Sequence, residues 1–337
     1  MRAATILFSP FSRAVCRIKR RLYGSGRFKP ASCPVPAVSV GNIAFGGSGK
    51  TPLAMEILSL FLAAGRRPAF VSRGYRGRWE KKGGVVSDGR TLFGTWRESG
   101  DEPHMVARAF PQAGVYVGRD RRASCRLAAA DGFDVVVLDD AFQHLRLRRD
   151  LDIVLHNPEA GRSLREGPRA LRQADVIVIP SGSGPQIDRM KRKNPGVDIF
   201  SCTPAARVLL RSGDTAERPP DALSGRRVLA VCGIAFPERF FRLLEKTGAA
   251  IAGRMVFPDH HAYPEASLRS IRKTAGRLKP DAVVTTEKDL SKLDGKIGEP
   301  ATAPLYALRI GLDIDPGFKR RVLAVLAPER RGAGVSS

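Results

Sequence analysis

The sequence predicts an α/β protein with two domains and a helix at its N-terminus. Apolar strand-like runs alternate with amphipathic helix-like segments, as in a parallel sheet with crossover helices. A stretch rich in Gly, Ser and Pro, residues 181–220, interrupts that alternation and predicts a domain boundary. A length of 337 residues is sufficient for two buried cores.

The composition limits the class of protein and its surroundings. Apolar residues make up 43% of the chain and aromatic residues 7%, which is typical of a soluble α/β protein. A formal net charge of +24 predicts attraction to nucleic acid, an anionic membrane surface or a phosphorylated substrate. The five cysteines include no Cys-x-x-Cys pair, which favours free thiols over a disulfide framework or a zinc site. The sequence contains no run of 18 apolar residues, so a helix that spans a membrane is not predicted.

Residues 11–23 are predicted to form a basic amphipathic helix. Its apolar stripe, at spacings of four, three and four, consists of Phe11, Val15, Ile18 and Leu22. Basic residues are predicted to occupy the remaining surface, namely Arg13, Arg17, Lys19, Arg20 and Arg21. Two interpretations are open from the pattern alone. The helix lies in an anionic membrane interface, or its apolar stripe docks on the protein's own domain.

A glycine-rich turn between a predicted strand and a predicted helix is the strongest functional motif. Residues 44–51 fit the G-x4-G-K-[ST] pattern of a phosphate-binding P-loop, except that Ala44 occupies the first glycine position. The loop amides and Lys50 are predicted to bind nucleotide phosphates, and the Thr51 hydroxyl to face Mg²⁺. The predicted nucleotide-binding set is Ala44, Phe45, Gly46, Gly47, Ser48, Gly49, Lys50 and Thr51. The first domain is therefore predicted to be a P-loop NTPase-like parallel sheet.

Two acidic segments follow the P-loop. Asp101 and Glu102 precede an apolar helix pattern, so either could cap that helix or accept a proton from an attacking hydroxyl. The apolar run Phe133–Asp140 ends in two acids, the Walker B arrangement, which predicts a carboxylate near Mg²⁺. Adjacent strand residues point to opposite sides, so one of Asp139 and Asp140 is predicted to contact the metal directly.

Basic and histidine-containing loops give weaker signals. The loop that contains Arg73 and Tyr75 could bind a ligand at a strand end or be a solvated turn. Arg121 at a helix start could clamp phosphate or be surface charge. His144 alone is more typical of a packing residue. His260 and His261 lack a third ligand at zinc-like spacing, so support of a catalytic base is favoured over metal binding.

Eight blocks, in order along the chain, resemble those of the tetraacyldisaccharide 4′-kinase family. They are SVGNIAFGGSGKTP, SRGYRG, SGDEP, DDAFQHLRLRRDLDI, LREGP, CGIAFPERFF, FPDHHAY and TTEKD. The resemblance extends from the N-terminal helix to about residue 310. The chain departs from the usual family blocks at Ala141, Gly167 and Phe236.

The resemblance implies an ATP-dependent lipid kinase. It would transfer the γ-phosphoryl group of ATP to the 4′-hydroxyl of tetraacyldisaccharide 1-phosphate, with Mg²⁺, and form lipid IVA in lipid A biosynthesis. The implied location is peripheral (monotopic), at the cytoplasmic face of the bacterial inner membrane. The implied partners are an anionic membrane surface and the lipid substrate, with no nucleic acid and no obligate protein partner. The alternative is a P-loop NTPase that couples hydrolysis to binding of nucleic acid or a protein client, although no helix-turn-helix or aromatic RNA-binding motif is present.

The resemblance also assigns site residues and domains. Asp101 would be the catalytic base, supported by His260, and Lys50 and Asp140 complete the catalytic set. Mg²⁺ would be held by Thr51 with Asp139 or Asp140. The implied substrate residues are Arg73, Tyr75, Arg121, Gln143, His144, Arg165 and Glu166. The predicted organisation is a membrane-interface helix (1–30), a P-loop kinase domain (31–205), a smaller C-terminal α/β domain (206–328) and a flexible tail (329–337).

Overall fold

The computed structural model describes residues 2–44, 49–157, 164–181, 184–214, 216–297 and 303–327, with side chains from residue 13 onward. The chain divides into two compact units. The first contains the residues up to Thr203 together with those from Asp313 onward, and the second is Pro204–Leu312. Each unit combines a mostly parallel sheet with helices, so the predicted α/β class is confirmed.

The first unit contains the P-loop helix and the Walker B strand. Its elements are α1 (Arg2–Gly24), β1 (Ala37–Gly41), α2 (Lys50–Ala63), β2 (Pro68–Ser72), β3 (Gly84–Asp88), α3 (Trp96–Ser99), α4 (Asp101–Ala109), β4 (Gly114–Val117), α5 (Arg121–Ala130), β5 (Val135–Asp139), β6 (Leu151–Leu155), a 3₁₀ turn (Pro168–Gln173), β7 (Val176–Pro180), α6 (Gly184–Lys193) and the start of β8 (Asp198–Arg211). Their order in the sheet is β8-β7-β6-β1-β5-β2-β4-β3. All of these neighbours pair in parallel except β3, which runs antiparallel to β4.

The central strands are mostly apolar because both of their faces are covered. Every residue of β1, β2 and β5 is buried, which explains the continuous apolar runs in the sequence. Strands β1 and β5 are neighbours, and their register sets Val40 opposite Asp139. The chain segments that follow these two strands therefore begin at the same edge of the sheet, where open α/β sheets bind ligands.

The second unit is a smaller α/β layer. It comprises the end of β8, β9 (Glu217–Arg218), β10 (Arg227–Cys232), α7 (Pro237–Glu245), β11 (Ala250–Val256), α8 (Glu265–Leu278), β12 (Ala282–Thr286), α9 (Glu287–Leu293) and most of β13 (Leu305–Ile314). Strands β11, β10, β12 and β13 pair in parallel in that order. The chain then returns to the first unit in α10 (Pro316–Leu323).

The region around the predicted domain boundary has more regular structure than its composition indicates. Residues 181–220 contain α6 and the whole of the 14-residue strand β8. Few side chains of these elements are buried, so neither shows a clear apolar pattern in the sequence. The boundary between the compact units, after Thr203, falls within this region.

The exposed and buried faces of helix α1 differ from those that the sequence predicts. Ala14, Arg17, Ile18 and Arg21 are exposed, at the i, i+3, i+4, i+7 spacing of one helical face. Arg20, which the sequence pattern places on the basic outer surface, instead has a side chain only 9% exposed. The predicted stripe is divided, because Val15 and Leu22 are half-buried while Ile18 is 57% exposed, and Phe11 lies outside the described side chains.

Two further sequence predictions concern cysteines and membrane-spanning helices. None of the five cysteines forms a disulfide bond, as expected. In the described parts of the chain, none of the helices combines the length and apolar character required to cross a membrane.

Candidate active site

The chain turns sharply after β5 and packs against the end of β1. A Cβ atom at Gly41 would lie 2.4 Å from Cβ of Phe142, so glycine is required for this close approach. The Gln143 side-chain amide donates a hydrogen bond of 2.8 Å to the Asn42 carbonyl. These contacts fix the segment that follows β5 beside the entrance to the P-loop.

The P-loop is described at its two ends. Ala44 forms an isolated antiparallel bridge with Leu164, and Gly49, at a left-handed φ of 89°, is the N-cap of α2. Lys50 and Thr51 are the first two residues of that helix. Phe45, Gly46, Gly47 and Ser48 lie outside the described residues. A strand therefore precedes the loop and a helix follows it, as phosphate binding requires.

Asp140 lies at the centre of a cluster of charges at this edge. Its carboxylate is 3.6 Å from Lys50 Nζ and accepts a hydrogen bond of 2.8 Å from Arg165. Burial alone would raise the pKa of Asp140, but Lys50 and Arg165 outweigh it and lower the pKa to about 2. Asp140 is therefore ionised throughout the physiological range.

Asp139, the last residue of β5, has the opposite environment. It is 7% exposed, and its Oδ1 atom is buried and accepts no hydrogen bond from the described residues. Burial, together with the neighbouring charge of Asp140, raises the pKa of Asp139 to about 7. The Arg121 guanidinium donates to the backbone carbonyls of both acids, at 3.2 and 3.4 Å, and not to their carboxylates.

The donor set at these positions fits Mg²⁺. The hydroxyl of Thr51 and the carboxylates of Asp139 and Asp140 are oxygen donors, which this ion prefers. Within the described residues, no group of three or more acidic, histidine or cysteine side chains could hold a metal by itself. A small carboxylate set is nevertheless typical of Mg²⁺ sites that rely on substrate phosphates and water for the remaining ligands.

Asp101 begins helix α4 and is only 6% exposed. Gly100, with a φ of 90°, occupies the N-cap position, so Asp101 is not the capping residue of that helix. Pro103, which the sequence pattern places at the first helical position, is the third residue. A carboxylate in the first turn is favoured by the partial positive charge of the helix N-terminus.

His104 lies one helical turn after Asp101 and is 7% exposed. Burial and, to a smaller extent, Arg108 lower the pKa of His104 to about 4. Since an unfolded histidine titrates near pH 6.5, the unfolded chain binds the proton first, and stability is lost as the pH falls from about 6.5 towards 4.

We expect His104→Gln to remove this part of the acid sensitivity. Between pH 6.5 and 5, His104 accounts for a loss of about 2 kcal/mol in the free energy of unfolding. Urea unfolding at the two pH values should show a smaller difference for the variant than for the wild type. An equal difference in the two proteins would contradict the titration of His104.

A cavity of about 540 Å³ opens beside the charge cluster. It is lined by Lys19, Leu22, Tyr23, Phe28, Arg73, Arg119, Arg121, Gln143, His144, Leu145 and Arg146. Its lining combines basic side chains with the apolar Leu22 of α1 and the aromatic Phe28, which is 51% exposed. Arg121 lines this cavity and also contacts the backbone of Asp139 and Asp140, so it connects the cavity with the acids.

The remaining implied substrate residues have different surroundings. Glu166 is 3% exposed and binds the Arg20 guanidinium through both carboxylate oxygens, at 2.7 to 3.2 Å. Arg73 donates to Glu80 at 2.6 Å while it lines the cavity. Tyr75 is 54% exposed and contacts Arg76. Burial and Arg121 lower the pKa of His144 to about 4, so its ring is neutral where it lines the cavity.

The sequence did not identify Arg20, Arg119 and Arg146 as site residues. Arg119 and Arg146 line the cavity, and Arg20 stacks over the Phe142 ring at 4.3 Å while it binds Glu166. The i, i+4 spacing of Cys16 and Arg20 is a signal that could have indicated the docked face of α1, because both residues contact Glu166.

His260 belongs to the second unit, in the loop after β11. Its Nε2 atom is 3.3 Å from Lys288 Nζ, and its backbone has a left-handed φ of 63°. His261 packs instead: its ring stacks on Phe257 at 4.8 Å and bonds Ser267 at 2.9 Å.

Comparisons with known proteins agree in one result. Residues 1–327 match the family model described as LpxK, tetraacyldisaccharide-1-P 4′-kinase. The chain is 37% identical to a tetraacyldisaccharide 4′-kinase of Desulfatibacillum aliphaticivorans over 90% of this chain and 87% of that protein. It is 39% identical to the enzyme of that name from Geobacter metallireducens over 86% and 87% of the two chains. It is also similar to a crystal structure of LpxK from Aquifex aeolicus in complex with ATP, with a TM-score of 0.76, 30% identity and coverage of 97% of this chain and 99% of that chain.

Proposed function

Because the chain belongs to the tetraacyldisaccharide-1-P 4′-kinase family, we propose that it transfers the γ-phosphoryl group of ATP to the 4′-hydroxyl of tetraacyldisaccharide 1-phosphate. The product of this step is lipid IVA. The observation that carries the proposal is Arg121, which joins a cavity lined by both basic and apolar side chains to the acids at the end of β5. The alternative, an NTPase with a nucleic-acid or protein client, is not favoured by the family match.

Phosphoryl transfer is catalysed mainly by positioning of the reactants and neutralisation of phosphate charge, and little covalent catalysis by the protein is required. Lys50 and the amides at the start of α2 bind the phosphates of ATP, and the guanidiniums of Arg121 and Arg165 add positive charge beside them. Thr51, Asp139 and Asp140 would hold Mg²⁺, which supplies neutralisation of phosphate charge when bound. By the family resemblance, Asp101 is the base that accepts the proton of the attacking 4′-hydroxyl, and His260 has a supporting role.

The cavity provides a chemically matched place for the acceptor. Its basic lining residues, which include Arg119 and Arg146, suit the 1-phosphate group. Its apolar lining residues, which include Leu22 and Phe28, suit the start of acyl chains. Neutral His144 and the Gln143 amide can bond sugar hydroxyls.

The direct test is mass spectrometry of tetraacyldisaccharide 1-phosphate after incubation with ATP, Mg²⁺ and this protein. The expected product carries the added mass of one phosphate, and the phosphate is located at the 4′ position by fragmentation. Lys50→Met should yield no such product. Unchanged lipid together with RNA-stimulated ATP hydrolysis would replace the proposal by the alternative.

We further propose that the enzyme acts from the cytoplasmic face of the bacterial inner membrane, with α1 in the interface. Arg20 faces the protein, whereas Ile18 and two arginines form the exposed face of the helix. An exposed isoleucine among cations is typical of a helix that contacts anionic lipid.

Ile18→Ser is expected to lower the partition coefficient onto anionic liposomes about tenfold, since burial of such a side chain contributes roughly 1.5–3 kcal/mol. Co-sedimentation with liposomes of increasing anionic lipid content measures this. Leu127→Ser is the matched control, because Leu127 is 44% exposed on α5. Equal loss in both variants would contradict a specific role for α1.

Asp139→Asn is expected to raise the Mg²⁺ concentration for half-maximal activity at least about tenfold, because a neutral amide is a weaker ligand than a carboxylate. The measurement is the initial rate against free Mg²⁺ at saturating ATP. Asp134→Asn, at the opposite end of the same strand region, serves as the control. An unchanged Mg²⁺ dependence of Asp139→Asn would count against Asp139 as a metal ligand.

A further inference from the structure

The TTEKD block, residues 285–289, has no role in the function proposed above. It forms the junction of β12 and α9 in the second unit. The Thr286 hydroxyl accepts a hydrogen bond from the Asp289 backbone and donates one of 2.8 Å to the Asp289 carboxylate. Asp289 is completely buried. The hydrogen bonds between Thr286 and the buried Asp289 therefore hold the backbone of this junction in place.

The buried carboxylate connects the junction to the backbone of His260. Asp289 accepts a hydrogen bond of 2.9 Å from the Gly233 amide, and the Gly233 carbonyl accepts one of 3.2 Å from the His260 amide. A Cβ atom at Gly233 would lie 2.9 Å from the Tyr263 hydroxyl and 3.2 Å from Asp289. This chain of contacts holds His260 in its left-handed conformation, which a non-glycine residue adopts only with such support.

Lys288 contacts the ring of the same histidine. Its Nζ atom lies 3.3 Å from Nε2 of His260 and 3.2 Å from a carboxylate oxygen of Asp259. The Lys288 and His260 side chains are only 15% and 17% exposed. Nε2 also lies 3.9 Å from Oδ2 of Asp259, which is beyond hydrogen-bond distance. A lysine ammonium has three donors and no acceptor, so its hydrogen bond to His260 makes Nε2 the accepting nitrogen of a neutral ring. The ring proton then lies on Nδ1, which can donate to a carboxylate or phosphate oxygen.

The start of α9 is anchored independently. Glu287 accepts hydrogen bonds of 2.7 to 3.0 Å from Arg309, whose side chain is 18% exposed. The ion pair holds Glu287, and the Thr286 cap holds Asp289. Lys288, which lies between these two residues, therefore extends from a fixed backbone. His261, by contrast, has its ring engaged by Phe257 and Ser267.

We propose that Lys288 is a positioning residue that sets the tautomer of His260, with Nε2 accepting and Nδ1 protonated. The inference rests on the proposed function for its catalytic consequence, because it is through His260 that Lys288 affects phosphoryl transfer. The tautomer itself is a property of the second unit and can be measured without turnover.

The test is ¹⁵N NMR of the histidine rings in the full-length protein, with the His260 signals assigned by their loss in His260→Gln. In the wild type, Nε2 should show the shift of an unprotonated, hydrogen-bonded nitrogen and Nδ1 that of a protonated one. Lys288→Met should move His260 towards the Nε2-protonated tautomer, and Lys288→Arg, which keeps a cationic donor, should restore the wild-type pattern. Lys273→Met, at an exposed position of α8, is the matched control.

Kinetics give the second readout. Lys288→Met should lower kcat about tenfold or more with little change in the KM for ATP, and Lys288→Arg should recover part of the loss. Thermal unfolding separates a folding defect from a positioning defect. A wild-type His260 protonated at Nε2, or a Lys288→Met variant with unchanged ring shifts, would overturn the inference. Absence of lipid phosphorylation by the wild type would instead overturn the proposed function and leave the NMR result to decide the tautomer.

Discussion

Replacing Asp101 with asparagine is expected to lower kcat by at least about 100-fold, as loss of a general base typically does. Asp101 is 6% exposed at the start of α4, and asparagine has nearly the same shape without the ability to accept a proton. ATP binding should persist, because Lys50 and the start of α2 are unchanged. Steady-state kinetics with the lipid acceptor and calorimetric titration with ATP measure the two effects separately.

Glu102→Gln is the informative comparison for that experiment. Glu102 is the other acid of the same helical turn, and its charge contributes to the raised pKa of Asp139. We expect Glu102→Gln to retain most of kcat. If this variant lost more activity than Asp101→Asn, the base would be Glu102 and the assignment of Asp101 would be wrong.

Arg20→Met is expected to weaken the docking of α1 by about 3–5 kcal/mol, the usual effect of leaving a buried charge without its partner. Glu166 is 3% exposed, and Arg20 supplies three of its hydrogen bonds. The same guanidinium donates to Gln173 and stacks on Phe142, so its removal also loosens the segment that follows Asp140. Hydrogen exchange of the amides of residues 13–24 reports the docking, and urea unfolding reports the stability.

Two variants make that experiment decisive. Arg21→Met removes the next arginine, which is exposed, and should change docking by less than about 0.5 kcal/mol. Adding Glu166→Gln to Arg20→Met removes the uncompensated charge and should restore part of the loss. Similar exchange rates for Arg20→Met and Arg21→Met would show that the ion pair does not hold the helix.

The fold could be predicted where burial leaves a continuous pattern. Strands β1, β5 and β7 are apolar runs because helices cover both faces of the sheet, and the resemblance to the kinase family is confirmed. Strand β3 and the long strand β8 were not predicted. Most side chains of β8 are exposed or half-buried, and β3 lies at an edge, so neither sequence carries that pattern.

The candidate site could be predicted where chemistry is local in the sequence. The P-loop and the two acids at the end of β5 are contiguous motifs, and the register of β1 and β5 places them at one edge. The partnership of Arg20 and Glu166 spans 146 residues, and no local pattern specifies it. From the sequence alone, an arginine in a basic helix is expected to be a solvated charge, and only the tertiary structure shows that Arg20 is buried.

Asp140 limits how its own role can be measured. Its φ of 48° is left-handed, one residue beyond the end of β5, so the alternation of side chains within a strand does not extend to it. Asparagine tolerates this conformation, whereas alanine is disfavoured there by roughly 1 kcal/mol. Alanine scanning would therefore mix a loss of charge with a displaced backbone at position 140. Only the amide substitution isolates the electrostatic part, and the gap between the two variants reports the strain stored in this turn.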